Sequence, residues 1–298
     1  MKLNNLRALL LLLGLLAGGS AAAGAAPGAP AGKHHFVYTQ AGKHVLVWYY
    51  LPAAAGPDAP VLVVMHGVGR NGEEYLADWT AAAEQGRFLL IVPEFSKAEF
   101  PGDPGYNYGN TVTADGQPRP REQWSFGMIE PVFDAVRART GHRTDTYRIY
   151  GHSAGAQFVQ RLLYFMPNPR LTRAVAANAG WYMLPDLAAE FPYGLKGTPV
   201  TAAAVRAALA KPFTVLLGEA DTDPKAKALR HTPEADAQGP CRFARGQYFF
   251  NRSRTLAAGL NTPFGWSLAT APGIAHSDPG MEPFALRHLF PNQPPHQP

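Results

Sequence analysis

Apolar positions along this chain come either as short unbroken runs or at helical spacing, and the two kinds alternate. Residues 61–65 (VLVVM) and 88–92 (FLLIV, stopped by Pro93) are continuous apolar runs, as expected of strands buried on both faces of a parallel sheet. Residues 45–51, 146–150, 174–179, 213–217 and 265–270 read as further strands, the first ended by Pro52. Between them lie segments of period 3.6. Residues 75–85 are helical, and Met128, Ile129, Val132, Phe133 and Val136 recur at helical spacing before a Gly141 stop. Residues 157–166, an Ala-rich stretch ending at Lys211, 246–260 and 281–289 add four more helices. This alternation predicts an α/β fold, a mostly parallel sheet with helices on both faces. Side chains that do chemistry in such sheets sit at the carboxyl ends of the strands.

Two stretches break the rhythm. Residues 95–123 are rich in Gly, Pro, Asn and Asp, and a connection this long inside one domain is more often functional than idle. Residues 183–200 form a Pro-, Gly- and aromatic-containing insertion, a candidate lid. At the start, Lys2 and Arg7 precede an apolar run over 8–17 and small residues from Ser20 to Ala26. That pattern is a secretory signal peptide, residues 1–26, cleaved between Ala23 and Ala26. The run is too short to cross roughly 30 Å of hydrocarbon, so no stable membrane anchor is expected. The expected organisation is then a flexible tail over 27–35, a single domain over 36–290 and a C-terminal tail over 291–298, exported to the periplasm or beyond.

Charge and cysteine narrow the classes. Loss of the leader removes two cations and takes the net charge from +5 to +3, and no Lys/Arg run follows, so nucleic acid is not an expected partner. Cys241 is the only cysteine, which excludes an intramolecular disulfide and leaves stability to the core.

The chemistry centres on Gly151-His152-Ser153-Ala154-Gly155, between a strand and a helix. A Gly-x-Ser-x-Gly turn projects a serine oxygen above a sheet, and its glycines remove Cβ atoms that so sharp a turn cannot hold. A serine needs a base, and the base needs an orienting group. His276 is the best base: it lies in a Pro/Gly loop between the last strand and the last helix. His288 (helix), His231 (polar segment) and His34, His35 and His296 (tails) are poorer placed, and the bland reading of His276 is a surface loop histidine. The acid should follow the strand ending at Leu217. Asp221 and Asp223 both qualify and Asp221 fits better; the other is then turn chemistry in Asp-Thr-Asp-Pro. A calcium loop of Glu219, Asp221 and Asp223 lacks EF-hand spacing, so no metal is expected. Oxyanion donors are expected at the N–H of Ala154 and of Val68, the latter in His66-Gly67-Val68-Gly69 after strand 61–65. His66 reads as a structural tie, and that loop lacks the Lys and spacing of a phosphate-binding loop. Trp181, Tyr182, Tyr106, Tyr108 and Trp124 are candidate substrate-lining aromatics, equally readable as core.

With these residues in place, the chain resembles the α/β-hydrolase superfamily over essentially all of 36–290. Within it, it is similar to exported bacterial esterases related to poly(3-hydroxybutyrate) depolymerases and feruloyl esterases. Carrying the resemblance are Val-Met-His66-Gly-Val-Gly, Gly151-His-Ser-Ala-Gly, Gly218-x-x-Asp221 and Gly273-Ile-Ala-His276, with the chain order Ser153, Asp221, His276. The resemblance implies an eight-stranded sheet and hydrolysis of carboxylic esters, small or oligomeric, without a cofactor. The single cysteine and the lack of a separate substrate-binding domain favour soluble esters over solid polymer. A peptidase or amidase on the same three residues, and a catalytically silent binding protein, are the alternatives.

Overall fold

The computed structural model describes residues 29–167 and 170–292. The expected leader therefore lies outside the described residues, as does most of the C-terminal tail. Strands β1 (Gly32–Gln40), β2 (Lys43–Leu51), β3 (Val61–Met65), β4 (Leu89–Glu94), β5 (Tyr147–His152), β6 (Leu171–Ala177), β7 (Phe213–Gly218) and β8 (Trp266–Ala271) form one sheet in the order β1-β2-β4-β3-β5-β6-β7-β8. The β1–β2 and β2–β4 pairs are antiparallel and the remaining neighbours parallel. The α/β class and the eight-stranded, mostly parallel sheet are thus as expected.

The α-helices among the described residues are α1 (Gly72–Gly86), α2 (Gly102–Gly105), α3 (Ile129–Thr140), α4 (Ala154–Phe165), α5 (Ala202–Ala210), α6 (Pro233–Asp236), α7 (Arg242–Gly259) and α8 (Asp278–Leu289). Alternation of side chains along β3 explains its unbroken apolar run. Val61, Val63 and Met65 enter the core beside α3, α4 and α5, whereas Leu62 and Val64 enter the opposite core beside α1 and α8. Every residue of α4 is buried, so the helix behind the candidate serine is the central one. Gly141 closes α3 in the left-handed conformation (φ 71°), as its position suggested. None of the described helices is long and apolar enough to cross a membrane.

One expectation fails. Residues 27–35 were expected as a tail, yet Gly32–His35 belong to β1, with His34 paired to Tyr49 and His35 to Trp48. Both histidines also contact those aromatic rings, at centroid distances of 5.1 and 4.9 Å. The strand alternates half-buried and exposed positions at a sheet edge, so it carries no apolar run to betray it.

Candidate active site

Ser153 follows β5 immediately and caps the start of α4 with φ 56° and ψ −114°, a strained region for a residue with a Cβ. The flanking glycines make this turn possible. A Cβ on Gly151 would lie 2.2 Å from the Gly155 carbonyl oxygen, and one on Gly155 would lie 2.1 Å from that of Met65. The elbow is therefore wedged against the end of β3. The first turn of α4 presents its positive end to the serine oxygen.

Three side chains distant in sequence meet there. His276 Nε2 is 3.0 Å from Ser153 Oγ, and His276 Nδ1 is 2.8 Å from Asp221 Oδ2. Asp221 is 4% exposed and His276 28%, so the carboxylate is sheltered while the imidazole edge reaches solvent. The two candidate acids separate cleanly: Asp221 meets the histidine, whereas Asp223 accepts the Lys225 N–H 2.8 Å away as a turn residue.

Their loops are tied together by backbone. Glu219 N–H donates to Ala271 O and Ala220 N–H to Ile274 O, joining the Asp221 and His276 loops. A Cβ on Gly218 would lie 2.5 Å from Ile274 O, so glycine alone permits this approach. The first turn of α7 holds Asp221 from the other side, Phe243 N–H donating to its carbonyl. After His276, Ser277 caps α8, its hydroxyl accepting the Gly280 N–H. Asp278 then anchors that helix start in the core, accepting from Tyr150 Oη at 2.8 Å and Trp79 Nε1 at 3.2 Å.

Sequence reasoning missed two contributors. Arg242, itself 4% exposed, donates Nη1 to Asp221 Oδ1 at 3.2 Å, giving the buried carboxylate a cationic partner as well as the histidine. Asn178, 1% exposed with φ 52°, accepts the Gly218 N–H at 2.8 Å and donates to the Ala275 carbonyl at 3.1 Å. It couples β6, β7 and the residue before His276. Its signal was faint: a polar residue closing an otherwise apolar strand. Arg242 gave none, because α7 has weak apolar periodicity.

His152 lies beside His276, ring centroids 4.6 Å apart, and its Nδ1 is 3.1 Å from Tyr75 Oη. Burial, reinforced by the neighbouring His276, pushes its pKa well below the usual histidine range. A neutral His152 does not repel positive charge forming on His276. His66 is a tie, as its position suggested. Phe95 N–H donates to its Nε2 at 3.0 Å, its Nδ1 lies 3.0 Å from Gly67 O, and burial lowers its pKa to about 3.

A cleft of about 150 Å³ opens at Ser153, lined by Val68, Ala154, Asn107, Gln157 and Trp181 and by the charged Asp103, Arg230 and Arg242. Val68 and Ala154 thus flank the serine, and an ideal Cβ on Gly67 would stand 3.8 Å from Ser153 Cβ. Of the five aromatics expected at the substrate, only Trp181 lines this cleft. Tyr106 is fully buried beneath it, donating to the His66 carbonyl, and Tyr108 accepts from Arg230. Tyr182 is core, stacked on Phe249. Trp124 donates Nε1 to Arg119 O and lines a separate cavity of about 830 Å³. That cavity is larger, but it holds none of the three candidate reacting residues. Among the described residues no cluster of His, Cys, Asp and Glu could hold a metal ion.

No protein-family model matches this sequence, and no curated protein matches it. Solved structures do. Poly(aspartic acid) hydrolase-1 from Sphingomonas sp. KT-1 is 48% identical over 88% of this chain and 100% of its own, with a TM-score of 0.85. LpqC, a poly(3-hydroxybutyrate) depolymerase from Bordetella parapertussis, is 34% identical over 89% of this chain and 91% of its own, with a TM-score of 0.83. At 15% identity and a TM-score of 0.54, siderophore hydrolase EstB from Aspergillus nidulans, covering 91% of this chain and 100% of its own, shares the fold alone. By its likeness to the first two, this chain belongs to the α/β-hydrolase fold family of esterase-like hydrolases and depolymerases.

Proposed function

We propose that this protein is a serine hydrolase that cleaves carboxylic esters through an acyl-enzyme. The observation that carries the reading is the continuous hydrogen-bonded series Ser153–His276–Asp221 at a strained elbow. Ser153 Oγ attacks the acyl carbon while His276 Nε2 accepts its proton, and Asp221 holds the ring so that Nε2 faces the serine. The N–H groups of Ala154 and Val68 receive the negative charge developing on the carbonyl oxygen. His276 then returns the proton to the leaving alcohol oxygen, and water repeats the sequence on the acyl-enzyme, releasing the acid and restoring Ser153. No cofactor enters any step.

Labelling with a fluorophosphonate and turnover of 4-nitrophenyl butyrate test this. Ser153→Ala should abolish labelling and lower kcat on the order of 10⁶-fold, the scale seen when a triad serine is removed. An unlabelled wild-type protein, or a variant with wild-type turnover, refutes it.

A second reading, amide hydrolysis in an aspartate polymer, is favoured by the 48% identity to poly(aspartic acid) hydrolase-1 and by the arginines in the serine cleft. Digestion of poly(aspartic acid) and poly(3-hydroxybutyrate) by the same preparation separates amide from ester preference. We also propose export, supported by the basic and apolar leader over 1–26. N-terminal sequencing of protein recovered from the periplasm or medium should begin beyond Ala23, and an intact Met1 there refutes cleavage.

A further inference from the structure

The serine cleft holds more positive charge than acyl transfer uses. Arg242 is committed to Asp221, but Arg230 serves no catalytic residue. Its Nη1 donates to Asp103 Oδ2 and to Tyr108 Oη, both at 3.0 Å, and its Nε and Nη2 have no acceptor among the described residues. The backbone that carries it is held from behind. Arg245, fully buried, donates Nη1 to the backbone carbonyls of both Arg230 and Gly180, the residue before Trp181. Arg230 then lies over the Trp181 ring at 4.9 Å.

A second cation lies against the same ring. Arg161 is fully buried with its guanidinium 4.4 Å from the Trp181 centroid and 5.4 Å from that of Tyr108. It meets no carboxylate among the described residues, and its Nε and Nη2 have no hydrogen-bond partner. Burial lowers its pKa, but only to about 10, so it stays charged at neutral pH. A buried cation with no carboxylate in contact is costly, and Asp103 is the carboxylate whose charge it feels across the cleft. Two guanidinium groups thus lie against Trp181 at the serine cleft, and Asp103 is the one carboxylate lining it.

We propose that Arg230 docks a carboxylate carried by the substrate, and that Asp103 is a resident counter-ion which this carboxylate displaces. The inference rests on the serine-hydrolase reading and adds its substrate class: acyl compounds bearing a second, ionised carboxyl group. The Asp103–Arg230 pair suits exchange. Its side chains are 41% and 33% exposed, and such pairs are weak. Asp103 bonds only one nitrogen of Arg230, whereas a mobile carboxylate can engage two in parallel, a stronger arrangement. Asp103 then acts as a specificity residue: it disfavours weak or neutral ligands at Arg230 and gives way to a bidentate anion.

The test compares mono-4-nitrophenyl adipate with 4-nitrophenyl hexanoate, acyl chains of equal length that differ in a terminal carboxylate. Asp103→Asn should raise the adipate-to-hexanoate ratio of kcat/KM about fivefold, the scale of an exposed ion pair, chiefly through KM. Arg230→Gln should lower that ratio about tenfold, with the effect of both changes fading at high salt. An unchanged ratio in both variants overturns the inference while leaving the hydrolase intact. Binding of N-acetyl tetra-aspartate to Ser153→Ala, followed by calorimetry, gives a reading independent of turnover. If neither ester is cleaved yet binding tightens on Asp103→Asn and weakens on Arg230→Gln, the hydrolase reading falls and the docking stands; binding indifferent to both changes overturns it.

Discussion

Asn178→Ala tests whether the His276 loop is held by a side chain far from it in sequence. Asn178 accepts from Gly218 N–H and donates to Ala275 O, the carbonyl next to His276. The two ends are not equivalent. Ala275 O keeps the Ser277 N–H at 3.0 Å, but Asn178 is the acceptor of the buried Gly218 N–H. Truncation therefore costs about 1–3 kcal/mol for the orphaned donor and about 1 kcal/mol for the second bond. Alanine in the left-handed region that Asn178 occupies adds about 1–2 kcal/mol. The expected loss is about 3–6 kcal/mol in urea denaturation. Freed from Asn178, the loop lets the imidazole drift from Ser153. A displacement of about 1 Å costs on the order of 100-fold, so kcat for 4-nitrophenyl butyrate should fall 10- to 100-fold with little change in KM. Asn178→Gly removes the same bonds without the left-handed strain and should recover about 1 kcal/mol of stability but none of the kcat. A stability loss below about 1 kcal/mol with unchanged kcat refutes the coupling.

Arg242→Gln leaves Asp221 buried without its cation; loss of a charged hydrogen bond is worth about 1.5–3 kcal/mol, so kcat/KM should fall at least tenfold, and unchanged kinetics rule the contact unimportant. Asp278 makes stability depend on pH, because burial pushes its carboxyl up to about 7. The native state then holds a proton that the unfolded chain releases near pH 4, so the contribution is full below that value and is lost as pH rises through about 7. The loss approaches about 4 kcal/mol by pH 8. Asp278→Asn should thus gain on the wild type by a few kcal/mol between pH 4 and 8 in denaturant titrations, and a pH-independent difference contradicts the assignment. Glu282, also pushed up to about 7 by burial, remains in the variant and preserves part of the slope.

The sequence by itself determined the class of fold, the elbow and the order of the three candidate triad side chains. Unbroken apolar runs such as residues 61–65 are forced by burial on two faces, and Gly-x-Ser-x-Gly is forced by a turn with no room for Cβ atoms, so both leave local marks. Strand β1 left none, since an edge strand half open to water needs no apolar run. The choice between Asp221 and Asp223 depended on which loop packs against which, through Ala220 N–H and Ile274 O, and that contact spans more than fifty residues of chain. The aromatics divided for the same reason. Trp181 and Tyr182 are neighbours with similar local surroundings, yet one lines the cleft and the other stacks in the core on Phe249, because successive side chains leave the backbone in different directions. Tertiary structure alone brought Arg242 to the acid, Asn178 to the histidine loop, and Arg230 and Asp103 to the cleft. Hydrogen bonds and ion pairs between remote segments are selected by three-dimensional proximity, and a linear pattern carries no record of it.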